Sequence, residues 1–170
     1  LVDRDGRPLA IELLVPNGSR SGMAYGQKLQ EDLGRLGVGL TLVPRDLPAF
    51  VERLNQRDFD GAHLAWFVPV EIDPEQIWHS RQVGPNTGNH GSFADPRADR
   101  LIDAIQVETD PARRVELFHE LQRTIYAQQV YTYGVNAPRR FAASRRLRNL
   151  QTFAIEPGYS LRRWYFADEG

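Results

Sequence analysis

The chain has 170 residues, 41% hydrophobic and 25% charged, a composition suited to one globular domain that buries about 70% of its unfolded surface. Twenty-one basic residues against twenty-two acidic ones leave a net charge of −1, so no strong field marks a dedicated nucleic-acid binder. There are no cysteines, which excludes disulfides, thiolate catalysis and cysteine-ligated zinc, and no run approaches the ~20 apolar residues of a membrane-crossing helix.

In chain order, residues 9–15 (Leu-Ala-Ile-Glu-Leu-Leu-Val) predict a strand, bounded by Asp5-Gly6-Arg7-Pro8 and Pro16-Asn17-Gly18. Tyr25, Leu29, Leu33 and Leu36 recur at helical spacing over 21–36, and Gly37 is placed to end that helix. Residues 38–43 alternate and predict a second strand. Asp46-Leu47-Pro48 opens a second helix with Phe50, Val51 and Leu54 on one face. Residues 59–66 are short, mostly apolar and free of charge after Asp60, which predicts a strand buried on both faces. This β-α-β-α-β order with short links defines an α/β class with parallel pairing and right-handed crossovers.

Asp73-Pro74, Asp95-Pro96 and Asp110-Pro111 each set a capping carboxylate before a proline suited to the first helical turn. The second of these helices carries Leu101, Ile102 and Ile105 inward, and the third Leu117, Phe118, Leu121 and Ile125. Between the first two lies the polar, glycine-rich stretch 81–92, whose length without periodicity marks a functional or mobile loop. Residues 130–135 predict a further strand and Phe141-Ala142-Ala143 a short extended piece. The basic cluster at 139–148 reads as a solvated face, and the tail from residue 150 is aromatic and weakly patterned.

Ligands of open α/β sheets bind just past the carboxyl ends of strands, where this chain places Trp66, Phe67 and Glu71. The two aromatics are either core side chains or a wall that stacks on a ligand. Glu71 is the best carboxylate for a cationic ligand group, with a solvated loop glutamate as the alternative. Asn86, Asn89 and His90 lie in the glycine-rich loop, where amides and backbone N–H groups can bind a polar ligand or serve turn chemistry. The four histidines have no spacing typical of metal ligands, so no metal or cofactor is expected. Ser80, His79 and Asp73 are close in sequence without an oxyanion site, so no catalytic set is expected either.

Three motifs occur in a fixed order: Phe59-Asp60-Gly61-Ala62 with Trp66, Asp73-Pro74 and Trp78-His79-Ser80; then Asn89 with Phe93, Asp95-Pro96, Asp99 and Leu101-Ile102-Asp103; then Asp110 with Arg114, Leu117, Leu121-Gln122-Arg123 and Ile125. Together, from about residue 6 to about residue 164, they resemble the extracytoplasmic solute-binding proteins of ABC importers, in the oligopeptide, dipeptide and nickel-binding family. The resemblance implies a periplasmic-binding-protein-like (type II) lobe with a central mixed sheet flanked by helices. Residues 1–149 would be the carboxyl-terminal ligand-binding lobe and 150–170 a segment returning to the first lobe, leaving Trp164, Tyr165 and Phe166 exposed. The chain opens on Leu1-Val2-Asp3, which leads us to expect a signal peptide or an upstream lobe before it.

The family's mechanism implies closure of two lobes on a peptide-like or other polar solute and recognition by the importer's membrane subunits, without catalysis or a cofactor. Trp66 matches a tryptophan that recurs at the family's ligand face. An aspartate a few residues later pairs with the ligand's ammonium in peptide-binding members; here the matching positions are Pro69 and Val70, so that anchor is missing or displaced. Peptide, opine, oligosaccharide and metal-chelate ligands all remain. Two rival readings are a cytosolic solute sensor attached to a transcriptional regulator, marked by an upstream helix-turn-helix, and an enzyme, marked by turnover.

Overall fold

The computed structural model describes residues 1–2, 4–66, 73–135, 140–153 and 158–167. Strands β1 (Ala10–Pro16), β2 (Gly39–Arg45) and β3 (Gly61–Ala62) form a parallel sheet in the order β2-β1-β3. Helix α1 (Arg20–Arg35) links β1 to β2, and α2 (Leu47–Gln56) links β2 to β3. In the centre of the sheet, β1 pairs along its whole length with β2, from Ala10 opposite Gly39 to Pro16 opposite Arg45. Parallel neighbours on both sides leave Leu14 and Val15 fully buried.

β3 corrects the expected eight-residue buried strand. Only Leu13–Gly61 and Leu14–Ala62 are in register, with the His63 N–H extending the ladder to Leu14 O at 2.9 Å. Residues 61–64 are half-buried. Among the described residues β3 has a partner on one side only, so its apolar sequence does not bring burial on both faces.

The capping residues act as their chemistry requires. Ser19 Oγ accepts from Gly22 N at 3.1 Å and Asp46 Oδ1 from Ala49 N at 2.9 Å, each satisfying an orphan donor of a first turn. Gly37, at φ +77, supplies the left-handed residue after α1, and Val38 N bonds back to Leu33 O at 3.0 Å. Leu36, at the helical spacing of the apolar residues, is 65% exposed. The face of α1 against the sheet is instead marked by Gly22 and Gly26, the two buried residues of that helix. A Cβ at Gly26 would lie 2.7 Å from Leu42 Cδ2, so the helix approaches β2 through a missing side chain. Leu14, Val43, Phe50 and Leu54 form the core beneath α2, with Phe59, Ala62 and Leu64 at its margin.

After the short helix α3 (Glu75–Trp78) come α4 (Pro96–Val107) and α5 (Pro111–Gln128). α3 starts one residue later than Asp73-Pro74 implies: Pro74 occupies the cap position and makes no side-chain cap bond of its own. Asp95 and Asp110 do cap α4 and α5, through Arg97 N and Ala98 N (2.8 and 2.9 Å) and Ala112 N (3.0 Å). These helices enclose the larger core of Phe93, Ala98, Leu101, Ile102, Ile105, Leu117, Leu121 and Ile125, with Trp78 and Phe118 packed against it.

The described residues fall into two compact units, the first of residues 1–66 and 74–130 and the second of residue 73 with those from 131 onwards. Residues 131–135, expected as a strand, are not in one. In this second unit β4 (Leu147–Arg148) pairs antiparallel with β5 (Tyr165–Phe166). Tyr159 packs on Phe141 and Trp164 at centroid distances of 6.0 and 5.4 Å. Tyr165 and Phe166 are exposed as anticipated, while Trp164 is half-buried against Tyr159.

Candidate functional site

The chain leaves β1 towards β2 on one side and comes back to β3 on the other, so the strand order reverses between β1 and β3. In an open α/β sheet the crevice at the carboxyl ends of such a pair is where ligands bind. Here the β1 end leads through Ser19 into α1, and the β3 end leads through His63 to Trp66. His63 lies 5.8 Å from Tyr25 of α1, ring centre to ring centre.

Trp66 remains 45% exposed, and its indole stacks on His90 with centroids 6.3 Å apart and planes at 18°. Such a near-parallel pair offers a flat apolar surface with a polar edge, the arrangement that a mostly apolar site with few oriented polar groups uses. Burial, and secondarily the Arg57 charge, hold the His90 imidazole below its ordinary range, which favours the neutral ring at neutral pH. Among the described residues its buried Nδ1 has no hydrogen-bond partner.

His90 is held there by its loop. The Asn89 amide donates to His79 O (3.2 Å) and Phe93 O (2.8 Å) and accepts from Phe93 N (2.9 Å). Asn89 is 1% exposed. Expected as a ligand contact, it is corrected to a loop-closing residue, because its polar groups are already committed to the loop's backbone. Asn86 stands at an exposed turn with φ +60 and lines a depression against Pro48, Val51 and Asn55 of α2. Turn chemistry accounts for it. Phe67 and Glu71 lie outside the described residues. Of the expected site residues that are described, Trp66 and His90 are the two that stack on one another.

Arg57 carries no signal in the sequence. It has φ +56 at the end of α2, and its guanidinium donates to Ser92 Oγ (3.1 Å), Thr87 Oγ1 (3.2 Å), Asn89 O (3.0 Å) and Gly84 O. No periodicity or motif points to it; its role depends on contacts more than 25 positions apart.

The segment before the loop is stapled to α4. Ser80 bonds Asp99 through N (2.9 Å) and Oγ (2.5 Å), while buried His79 lies 3.4 Å from Asp99 and 3.5 Å from Asp103. Among the described residues no group of three or more His, Cys, Asp or Glu side chains could hold a metal ion. Glu75 accepts from Gln106 (2.6 Å), Arg81 (2.8 Å) and Gln82 (3.3 Å). The Gln106 bond first, and then Arg81, lower its carboxyl from 4.5 to about 2. A depressed carboxyl contributes stability that is complete above the unfolded value and is lost as pH falls through the folded one. We therefore predict that wild type exceeds Glu75→Gln in urea midpoint near neutrality, and that the gap closes as pH falls from 4.5 towards about 2. A gap independent of pH would show that Glu75 does not titrate in this way.

The sheet, its crossovers and the flanking helices define the class: the fold is that of a periplasmic-binding-protein lobe, with an aromatic platform at its switch point. The chain is similar over 98% of its length, at 21% identity, to the oligopeptide-binding protein AppA of Bacillus subtilis. The solved structure of that protein with a nonapeptide superposes with a TM-score of 0.75, covering 98% of this chain and 33% of that one. A Brucella melitensis protein named as a binding protein is 26% identical over 99% of this chain. NikZ of Campylobacter jejuni, solved with Ni(L-His), has a TM-score of 0.67 at 16% identity, covering 75% of this chain and 26% of that one. No protein-family model matches. The chain spans 31% and 28% of the lengths of these two curated relatives, which are named as binding proteins and not as enzymes.

Proposed function

We propose that this chain is the ligand-binding lobe of a two-lobed, extracytoplasmic solute-binding protein that delivers a peptide-like or other polar solute to an ABC importer. The observation that carries the reading is the half-exposed Trp66 indole, held flat against His90 at the carboxyl end of β3. A ring left 45% open in the crevice where α/β folds bind ligands has the exposure a ligand wall needs. The relatives support the same role: one is an oligopeptide-binding protein, solved with a nonapeptide. A neighbour from Helicobacter pylori is an ABC transporter-associated periplasmic binding protein solved with a peptide, with a TM-score of 0.64.

Ligand contacts from two lobes favour the closed form, which the importer's membrane subunits recognise. One lobe supplies part of those contacts, while the cost of immobilising the ligand is nearly the same. The isolated chain is therefore expected to bind short peptides no more tightly than about 1 μM, on the order of 8 kcal/mol. Calorimetry on the chain alone, and on a protein that also carries the complementary lobe, tests this. Tight binding that needs both lobes supports the reading. A sub-micromolar complex with the single chain, or no peptide or polar solute bound by the pair, counts against it.

A further inference from the structure

We propose that Arg57 is a positioning residue for the Trp66–His90 platform: its guanidinium is the template on which the 84–92 loop folds, and through that loop it fixes His90 against the indole. Calling the platform a ligand surface rests on the function proposed above; the loop geometry does not.

The backbone is the first indication. Arg57 ends α2 in the left-handed conformation, φ 56 and ψ 34, where glycine is free of the steric penalty that any side chain brings. An arginine stands there, and its side chain is fully used. Arg57 N closes the helix on Leu54 O at 3.1 Å, while the guanidinium leaves the helix for the loop.

The acceptors are the second. Gly84 O, Thr87 Oγ1, Asn89 O and Ser92 Oγ converge on one planar group. Among the described residues no carboxylate forms an ion pair with Arg57, so its charge is met by neutral oxygens through charge-assisted bonds. Asn89 and Ser92 bracket His90 in sequence, so the guanidinium grips the chain on both sides of the stacked imidazole. Asn89 closes the same loop from its buried side. A lysine keeps the charge but offers one ammonium in place of a planar fork, and cannot span these acceptors together.

His90 provides a readout that separates positioning from charge. The test follows the imidazole signals by NMR against pH in the full 170-residue chain, with His90→Gln to assign the resonance. In both Arg57→Lys and Arg57→Gln the His90 midpoint should rise towards the ordinary histidine range. The lysine variant decides the cause. If it keeps the wild-type midpoint while glutamine shifts it, Arg57 acts by charge alone and the proposal is overturned. Unchanged midpoints in both variants overturn it as well.

If both variants lose the fold, the double substitution Thr87→Val with Ser92→Ala decides, because it removes two acceptors and leaves Arg57 in place. It should move His90 in the same direction; an unmoved midpoint rejects the proposal. Failure of the proposed function would show separately, as no solute bound by the two-lobed protein with the His90 shift intact.

Discussion

Trp66→Ala, made in a protein that carries both lobes, should weaken solute binding by about 2 kcal/mol, roughly 30-fold, with little change in stability. The magnitude follows from area. A wholly buried aromatic side chain covers about 150–250 Å², and a ligand could cover only the part of the indole still open, since 45% is exposed. On the order of 100 Å² at about 25 cal/mol per Å² gives roughly 2.5 kcal/mol, and stacking beyond area adds up to about 1 kcal/mol. Part of this is offset when the ligand settles into the space left. Calorimetry with the tightest peptide from a graded series, together with a thermal melt, checks both halves. Unchanged affinity would remove Trp66 from the ligand surface; an unfolded variant would make it a core residue in spite of its exposure.

The largest stability effect should come from the other side of the chain. Ile102 has no exposed surface and lies in the α4–α5 core with Ile105, Leu117, Leu121 and Phe93. Ile102→Ala removes buried methyl groups and leaves a cavity that two capped helices cannot readily close, which costs about 2–5 kcal/mol. Domains of this size are stable by about 5–15 kcal/mol, so the variant should unfold at much lower denaturant. A midpoint in urea within error of wild type would mean that this core can collapse around the deletion. Val107, 78% exposed at the end of the same helix, is the control whose change to Ala should cost little.

The two variants probe levels of structure that differ in how local their causes are. Asp46, Asp95 and Asp110 announce their helices because a cap and the N–H groups it satisfies are neighbours in sequence. The inward faces of α4 and α5 are equally plain, since Leu101, Ile102 and Ile105, and then Leu117, Leu121 and Ile125, repeat at helical spacing and bury together. Trp66 and His90 could each be picked out as candidates, one by its place after a strand and the other by its loop. Their stacking could not be read, because it joins positions 24 residues apart.

Where expectation and structure part, the cause is a non-local contact. Leu36 fits the helical period yet faces solvent, because α1 meets the sheet through Gly22 and Gly26, whose value lies in what they leave out. Asn89 has the chemistry of a ligand contact and is consumed by its own loop. Residues 59–66 have a buried strand's composition, but β3 has a described neighbour on one side only.

The sequence by itself determined the α/β order, the helix starts and the apolar faces, because caps, turns and periodicity act over a few residues. Only the tertiary structure decided that Arg57 gathers the loop and that His90 lies on Trp66. Those contacts depend on the return of the chain to β3 on the far side of β1 and on a loop folded around one guanidinium, and no local propensity carries that information.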